Sequence, residues 1–252
     1  MGCRNMVITI AATKGGTGKT TTAAALAQAF AGMGRTALLV DADPQGSASL
    51  IYDAEESPGL YAVLKGRAEA ADLVQHTEAG DILPASPELD GLETELARDK
   101  GRDTLLARAL EPLKASYDAI VIDTAPGVST LLVQALTAAD KVLIPMQADT
   151  QSLRGLEKLA ETVADVQRYT NKRLEVAGVV VTMYDGRTVL AKQYDELIGE
   201  TCGHLGFPFA KTHIRRAVAV QEAQALRQSL YDYAPKSNPA RDYRALIEEL
   251  SL

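Results

Sequence analysis

The sequence predicts an α/β fold: a doubly wound, mostly parallel sheet with helices on both faces. Three observations predict it. Short continuous apolar runs rich in Val, Ile and Leu alternate with longer helical segments along the chain, the pattern of strands buried on both faces. A glycine-rich turn joins the first apolar run to the first helical one. Acidic residues leave the ends of two further runs, where open α/β sheets place their ligands. A chain of 252 residues suits one large domain with a full core, so residues 1–252 are expected to form a single domain.

Taken in order, residues 7–12 read as a buried strand and residues 22–33 as a helix. Between them lies Thr13-Lys14-Gly15-Gly16-Thr17-Gly18-Lys19-Thr20-Thr21. A strand, a glycine-rich turn and a helix N-terminus make an anion site, because backbone N–H groups point into the turn and the helix dipole favours negative charge. Gly15, Gly16 and Gly18 permit a close approach that a Cβ would block. Lys19 can reach β- and γ-phosphate oxygens, and the Thr20 hydroxyl can ligate Mg²⁺. A purely structural turn needs no Gly-Lys-Thr on the first helical turn. The predicted fold is thus that of a P-loop NTPase, although the ordinary pattern would place Gly where this chain has Thr13.

Residues 36–40 form the next short strand, which runs into Asp41-Ala42-Asp43-Pro44-Gln45. A turn explains Asp43-Pro44 but not Asp41 at the strand exit. Residues 47–78 read as helix and loop, with a break at Ser57-Pro58-Gly59 and a helix starting at Leu60. A strand is expected over 81–85 and a helix over 89–113, interrupted near Gly101 and stopped near Pro112. Residues 117–122 are the clearest core strand, delivering Asp123-Thr124-Ala125-Pro126-Gly127. An acid after such a strand is the Walker B arrangement, whose carboxylate serves Mg²⁺. Strands over 141–146, 176–183 and 206–212 follow, with helices over 149–169 and 238–250 and a segment helical wholly or in part over 214–227.

Lys-Gly-Gly-Thr-Gly-Lys-Thr-Thr, residues 14–21, resembles the deviant Walker A box of the ParA/MinD family of dimeric ATPases. The run from Asp41 to Gln45 resembles that family's switch I box and residues 124–127 its switch II. Thr182-Met183-Tyr184-Asp185, with Arg187 and Thr188, resembles a run common in ParA-type partition proteins. The resemblance covers nearly the whole chain. It implies ATP and Mg²⁺ as ligands, with Lys14, Gly15, Gly16, Thr17, Gly18, Lys19, Thr20 and Thr21 around the phosphates and Met183 beside the base. It gives Thr20, Asp43 and Asp123 to the metal. Lys14, Lys19, Asp43 and Asp123 become the catalytic set, Asp43 orienting the attacking water and Lys14 reaching across a dimer to the partner's ATP.

The implied function is a ParA-like ATPase that forms a homodimer on binding MgATP, hydrolyses ATP slowly and serves plasmid or chromosome partition with a ParB-like partner. Net charge is −7, so contact with duplex DNA must come from a local patch. Lys211, Arg215 and Arg216, joined by Arg187, are the candidates. Charge alone fits a solvated surface equally well, and the resemblance favours nonspecific DNA binding. Relatives usually carry Arg where this chain has Ala219, so the patch here is composed differently.

The alternatives are a ParA-like ATPase that positions a non-DNA cargo and a MinD-like regulator. The tail, ending Ile247-Glu248-Glu249-Leu250, lacks the basic face of a membrane helix, so no membrane docking is expected. Cys3 and Cys202 have no metal-ligand spacing, which disfavours the iron–sulfur relatives and suits a reducing cytosol. With no signal peptide and the P-loop so near the start, no DNA-binding domain is expected ahead of it. The expected location is the cytoplasm, on the nucleoid when ATP is bound.

Overall fold

The computed structural model describes residues 5–96, 99 and 101–252. Cys3 and three positions within the helix predicted over 89–113 lie outside them. The first half runs β1 (Met6–Ile10), α1 (Lys19–Gly32), β2 (Ala37–Ala42), α2 (Ser47–Ile51), α3 (Leu60–Leu64), β3 (Gln75–Thr77), β4 (Gly80–Leu83), α4 (Leu89–Leu96) and α5 (Leu105–Leu110). It continues through β5 (Ala119–Thr124), α6 (Thr130–Ala138), β6 (Lys141–Met146), α7 (Thr150–Tyr169), β7 (Glu175–Val181), α8 (Val189–Leu205), α9 (Val218–Ala225), α10 (Leu230–Tyr233) and α11 (Asn238–Leu250).

The strands form one sheet in the order β3-β4-β2-β5-β1-β6-β7. Every pair is parallel except β3 with β4 at the edge. The continuous apolar runs follow from burial on both faces. In β5, Ile120 and Ile122 enter one core cluster while Ala119 and Val121 enter the other. Helices α3 to α8 cover the first face, and α1, α9, α10 and α11 the second. Alanines 23, 24, 25, 27 and 29 let α1 lie close to the sheet. The apolar stripe of α11 (Ala240, Tyr243, Leu246 and Ile247) is spent on this core, each large side chain contributing about 1.5–3 kcal/mol of burial. Among the described residues no helix is long and apolar enough to cross a membrane.

One expectation changes. Residues 206–212 do not form a full strand: Val179 N–H donates to Pro208 O and Ala210 N–H to Val179 O, leaving one isolated bridge at Phe209. Pro208 has no N–H to extend the ladder. The 214–227 segment is helical in part, over Val218–Ala225, because Ile214 N–H pairs with Val181 O and Ile214 O with Tyr184 N–H. The 89–113 segment is interrupted near Gly101 as expected, giving α4 and α5, and α5 stops before Pro112.

Register matters most for the site. Asp123 stands opposite Ile10 of β1 on one side and Asp41 of β2 on the other. The C-terminal ends of three neighbouring strands thus deliver the glycine-rich loop and two carboxylates to one crevice.

Candidate functional site: a phosphate loop with a buried carboxylate cluster

The loop after β1 turns into α1 through Gly16 (φ 75°) and Gly18 (φ 83°). Both angles are in the left-handed region that side chains disfavour. No side chain caps the N-terminus of α1, so its first N–H groups remain available to an anion. Lys19 is 6% exposed, and its Nζ donates to Lys14 O at 3.3 Å. Burial pulls its pKa down against the opposing pull of Asp123 and Asp43. The buried Thr17 carbonyl accepts from Thr182 Oγ1 at 2.7 Å, tying the loop to the end of β7. Gly15 and Gly16 are exposed, and Gly16 O accepts from Gln147 Nε2 at 2.7 Å.

Lys14 points elsewhere. Its Nζ lies 2.6 Å from Asp149 Oδ2 at the half-exposed rim. Asp149 also caps α7, accepting from Ser152 N–H at 2.9 Å. Burial alone would raise the Asp149 pKa, but the Lys14 ammonium and the Ser152 donors outweigh it and hold the carboxyl below its ordinary range.

Three acidic residues line the crevice floor. Asp41, fully buried, accepts from Ser49 N–H and Ser49 Oγ, each at 2.8 Å, and from Asp43 N–H at 3.1 Å. Burial nonetheless pushes its carboxyl up to about 6. Asp43 accepts from Gln45 N–H at 2.9 Å, the Asx turn that the Asp-Pro sequence announces. Asp123 is fully buried, and neither carboxylate oxygen has a hydrogen-bond partner. Burial, then the Asp41 charge, holds its pKa well above the ordinary range; the Thr20 hydroxyl, near but outside hydrogen-bonding geometry, and the Lys19 ammonium oppose that shift.

A buried carboxylate with both oxygens unpartnered is costly unless a cation compensates. Asp123, beside a helix N-terminus and a threonine, therefore fits Mg²⁺. Among the described residues no three His, Cys, Asp or Glu are grouped to enclose a metal alone, as suits an ion held largely through phosphates.

Beyond the loop, a cleft of about 370 Å³ is lined by Gly18, Thr21, Thr182, Met183, Arg216 and Gln224 among others. Its place beside Gly18 suits the nucleoside. Met183 adopts φ 51° and is 44% exposed, its Sδ accepting from Gln147 Nε2. Gln224 Nε2 donates to Thr21 Oγ1 at 3.0 Å. Gln147, Asp149 and Gln224 escape sequence reasoning. Asp149 opens a helix as an N-cap candidate, but nothing local says it faces Lys14, 135 positions away.

The four candidate DNA-contacting cations differ in their surroundings. Arg187 Nη2 bonds Asp185 Oδ2 at 2.6 Å. Arg215 bonds Asp242, with its backbone N–H on Asp242 Oδ2 at 3.0 Å. The Lys211 backbone N–H donates to Glu249. Arg216 is exposed and forms no ion pair among the described residues. A bridge between Tyr184 and Arg215 puts the two arginine-bearing segments side by side.

Fold and site together define a P-loop ATPase. The model of a family described as "AAA domain" matches residues 5–176. Chromosome-partitioning ATPase Soj of Thermus thermophilus is 39% identical, covering 96% of this chain and 94% of its own. Sporulation initiation inhibitor protein Soj of Bacillus subtilis is 38% identical, covering 97% and 98%. Cobyrinic acid a,c-diamide synthase of Mycobacterium smegmatis, solved with ADP and magnesium, superposes with a TM-score of 0.82 at 31% identity, covering 95% and 91%. This chain belongs to the ParA/MinD family of ATPases. A second structure of the Mycobacterium smegmatis synthase, equally similar, holds an ATP analogue and magnesium.

Proposed function

We propose that this chain is a partition switch: MgATP binding drives face-to-face homodimerisation, the dimer binds duplex DNA without sequence preference, and hydrolysis returns it to monomers. The observation that carries this reading is the divergence of the two lysines of one loop. Lys19 is buried, its Nζ donating to Lys14 O within the loop, whereas the Lys14 side chain leaves the loop for the rim, from which it can serve a second protomer. The chain, residues 1–252, acts as one ATPase domain built on one sheet.

Lys19 and the loop N–H groups hold the phosphates, with Gly15, Gly16, Thr17, Gly18 and Thr21 shaping the cradle. Thr20, Asp43 and Asp123 would hold Mg²⁺, which when bound supplies charge neutralisation at the phosphates. Asp43 positions the attacking water, Lys14 adds positive charge in trans, and Met183 lies against the base. Catalysis is then positioning plus charge stabilisation, with no covalent nucleophile.

Soj and ParA relatives are named for chromosome partitioning, which supports a ParB-like partner here and a cytoplasmic protein that is nucleoid-associated with ATP. Burial of the apolar stripe of α11 supports a role without membrane docking. The test is retention of two unrelated duplexes by Asp43→Ala protein, with ATP and without. Retention only with ATP supports the reading. Retention that ignores ATP, or prefers one sequence, contradicts it.

A further inference from the structure

Segment 147–155 grips the phosphate loop at three successive points. Gln147 Nε2 holds Gly16 O at 2.7 Å, and Asp149 Oδ2 holds Lys14 Nζ at 2.6 Å. Gly155, one and a half turns into α7, faces Thr13. A Cβ built on Gly155 would overlap Thr13 Oγ1 outright, while standing 3.5 Å from Thr13 Cβ. The overlap therefore involves the hydroxyl position alone. Just beyond the contact, Leu156 and Leu159 are buried in the core, so α7 has little room to retreat.

Gly155 has no conformational reason to be glycine: it sits inside a regular helix, and its φ is not in the left-handed region. Alanine at such a site ordinarily improves a helix. The glycine makes sense as a close-approach residue. Thr13 is also the position where this loop carries a side chain instead of the glycine of the ordinary P-loop pattern. The two departures complement each other: the loop gains a side chain, and the helix behind it lacks one.

We propose that Gly155 is a positioning residue for ATP hydrolysis. By lacking a Cβ it lets α7 seat directly on Thr13, and so fixes the direction in which the next residue, Lys14, leaves the loop. Thr13–Gly155 and Gly16–Gln147 are the fixed points on either side of Lys14, and the ion pair to Asp149 is the contact between them that can open. This proposal rests on reading the loop as the ATP site. That reading fails if Lys19→Ala binds ATP normally, whereas the present proposal can fail with Lys19→Ala behaving as expected.

The test is a double-mutant cycle on the full chain with Gly155→Ala, Thr13→Ala and their combination, reading kcat, nucleotide affinity and melting temperature separately. Gly155→Ala should keep ATP affinity within about threefold and lose roughly tenfold in kcat at a temperature where the variant remains fully folded. Adding Thr13→Ala, which removes the overlapping hydroxyl, should recover much of the lost turnover. A purely structural glycine would lower kcat only as far as it lowers the folded fraction, leaving turnover per folded molecule unchanged. Normal turnover in Gly155→Ala, or a loss that Thr13→Ala leaves untouched, overturns the proposal. Should Gly155→Ala not fold, Thr13→Ile presses a larger side chain on Gly155. It should lower kcat while keeping affinity, and unchanged turnover in that variant would also overturn the proposal.

Discussion

Lys14 Nζ and Asp149 Oδ2 lie 2.6 Å apart, so the extra lysine of the phosphate loop is held by its own chain. Any role for Lys14 in a partner's site begins with breaking this bond. Asp149→Asn should therefore favour the ATP-bound dimer, since asparagine keeps the α7 cap while removing the charge. Partly exposed pairs contribute about 0.2–1 kcal/mol and a homodimer opens one in each protomer, so dimer affinity should tighten up to about thirtyfold. Sedimentation with a non-hydrolysable ATP analogue measures this, and weaker dimerisation would show that Asp149 assists Lys14 instead of restraining it. The pH dependence has a definite sign. The Asp149 pKa is lowered in the fold, so the pair is intact above the unfolded carboxylate pKa of about 3.9 and is lost only as pH falls through the lower folded value. This pair should add no pH dependence to dimerisation between pH 6 and 8.

Lys19→Ala should remove ATP binding. The ammonium faces two phosphates through charge-assisted hydrogen bonds, and losing them costs about 3 kcal/mol or more, roughly a hundredfold in affinity. Calorimetry reads this directly, and near-normal affinity would sink the phosphate-loop assignment.

Asp43→Ala should leave ATP bound and slow its hydrolysis by roughly two to four powers of ten, as for loss of a group acting on the attacking water. Long-lived ATP-bound protein with little phosphate release is the expected result. Loss of nucleotide binding would show that Asp43 is needed to hold the nucleotide or the fold and would contradict a role confined to hydrolysis.

The glycine-rich loop and the acids after β2 and β5 were legible because their chemistry fixes residue type at close spacing. The parallel sheet was legible because strands buried on both faces read as unbroken Val, Ile and Leu. Elements that lack such a signature were missed. Strand β3 has three polar residues at an exposed edge. Helix α6 is apolar nearly all round, so its period is invisible. Helix α8 opens with Val189 and Leu190, 72% and 60% exposed, which mask its buried side. The contacts of Lys14 with Asp149, Thr13 with Gly155 and Thr21 with Gln224 join distant segments and depend on how the helices seat on the sheet.

The basic surface gives a graded prediction. Arg216→Glu should weaken DNA binding and flatten its salt dependence, each lost phosphate contact lowering the slope by about 0.9. Arg215→Glu should chiefly destabilise the fold, because it sets a second carboxylate against Asp242, whose side chain is 9% exposed. Arg187→Glu should have the smaller effect on DNA, its guanidinium being already engaged by Asp185. Salt titrations with filter binding, paired with melting curves, separate these cases; binding unchanged by Arg216→Glu would move DNA to another face.

The most direct measurement is the mass, by light scattering with ATP and Mg²⁺, of Asp43→Ala protein beside Lys14→Ala/Asp43→Ala protein, with ATP affinity measured in parallel. The first should be a dimer, and the second a monomer that still binds ATP. A doubly substituted chain that dimerises as well as Asp43→Ala would contradict a role for Lys14 across the interface.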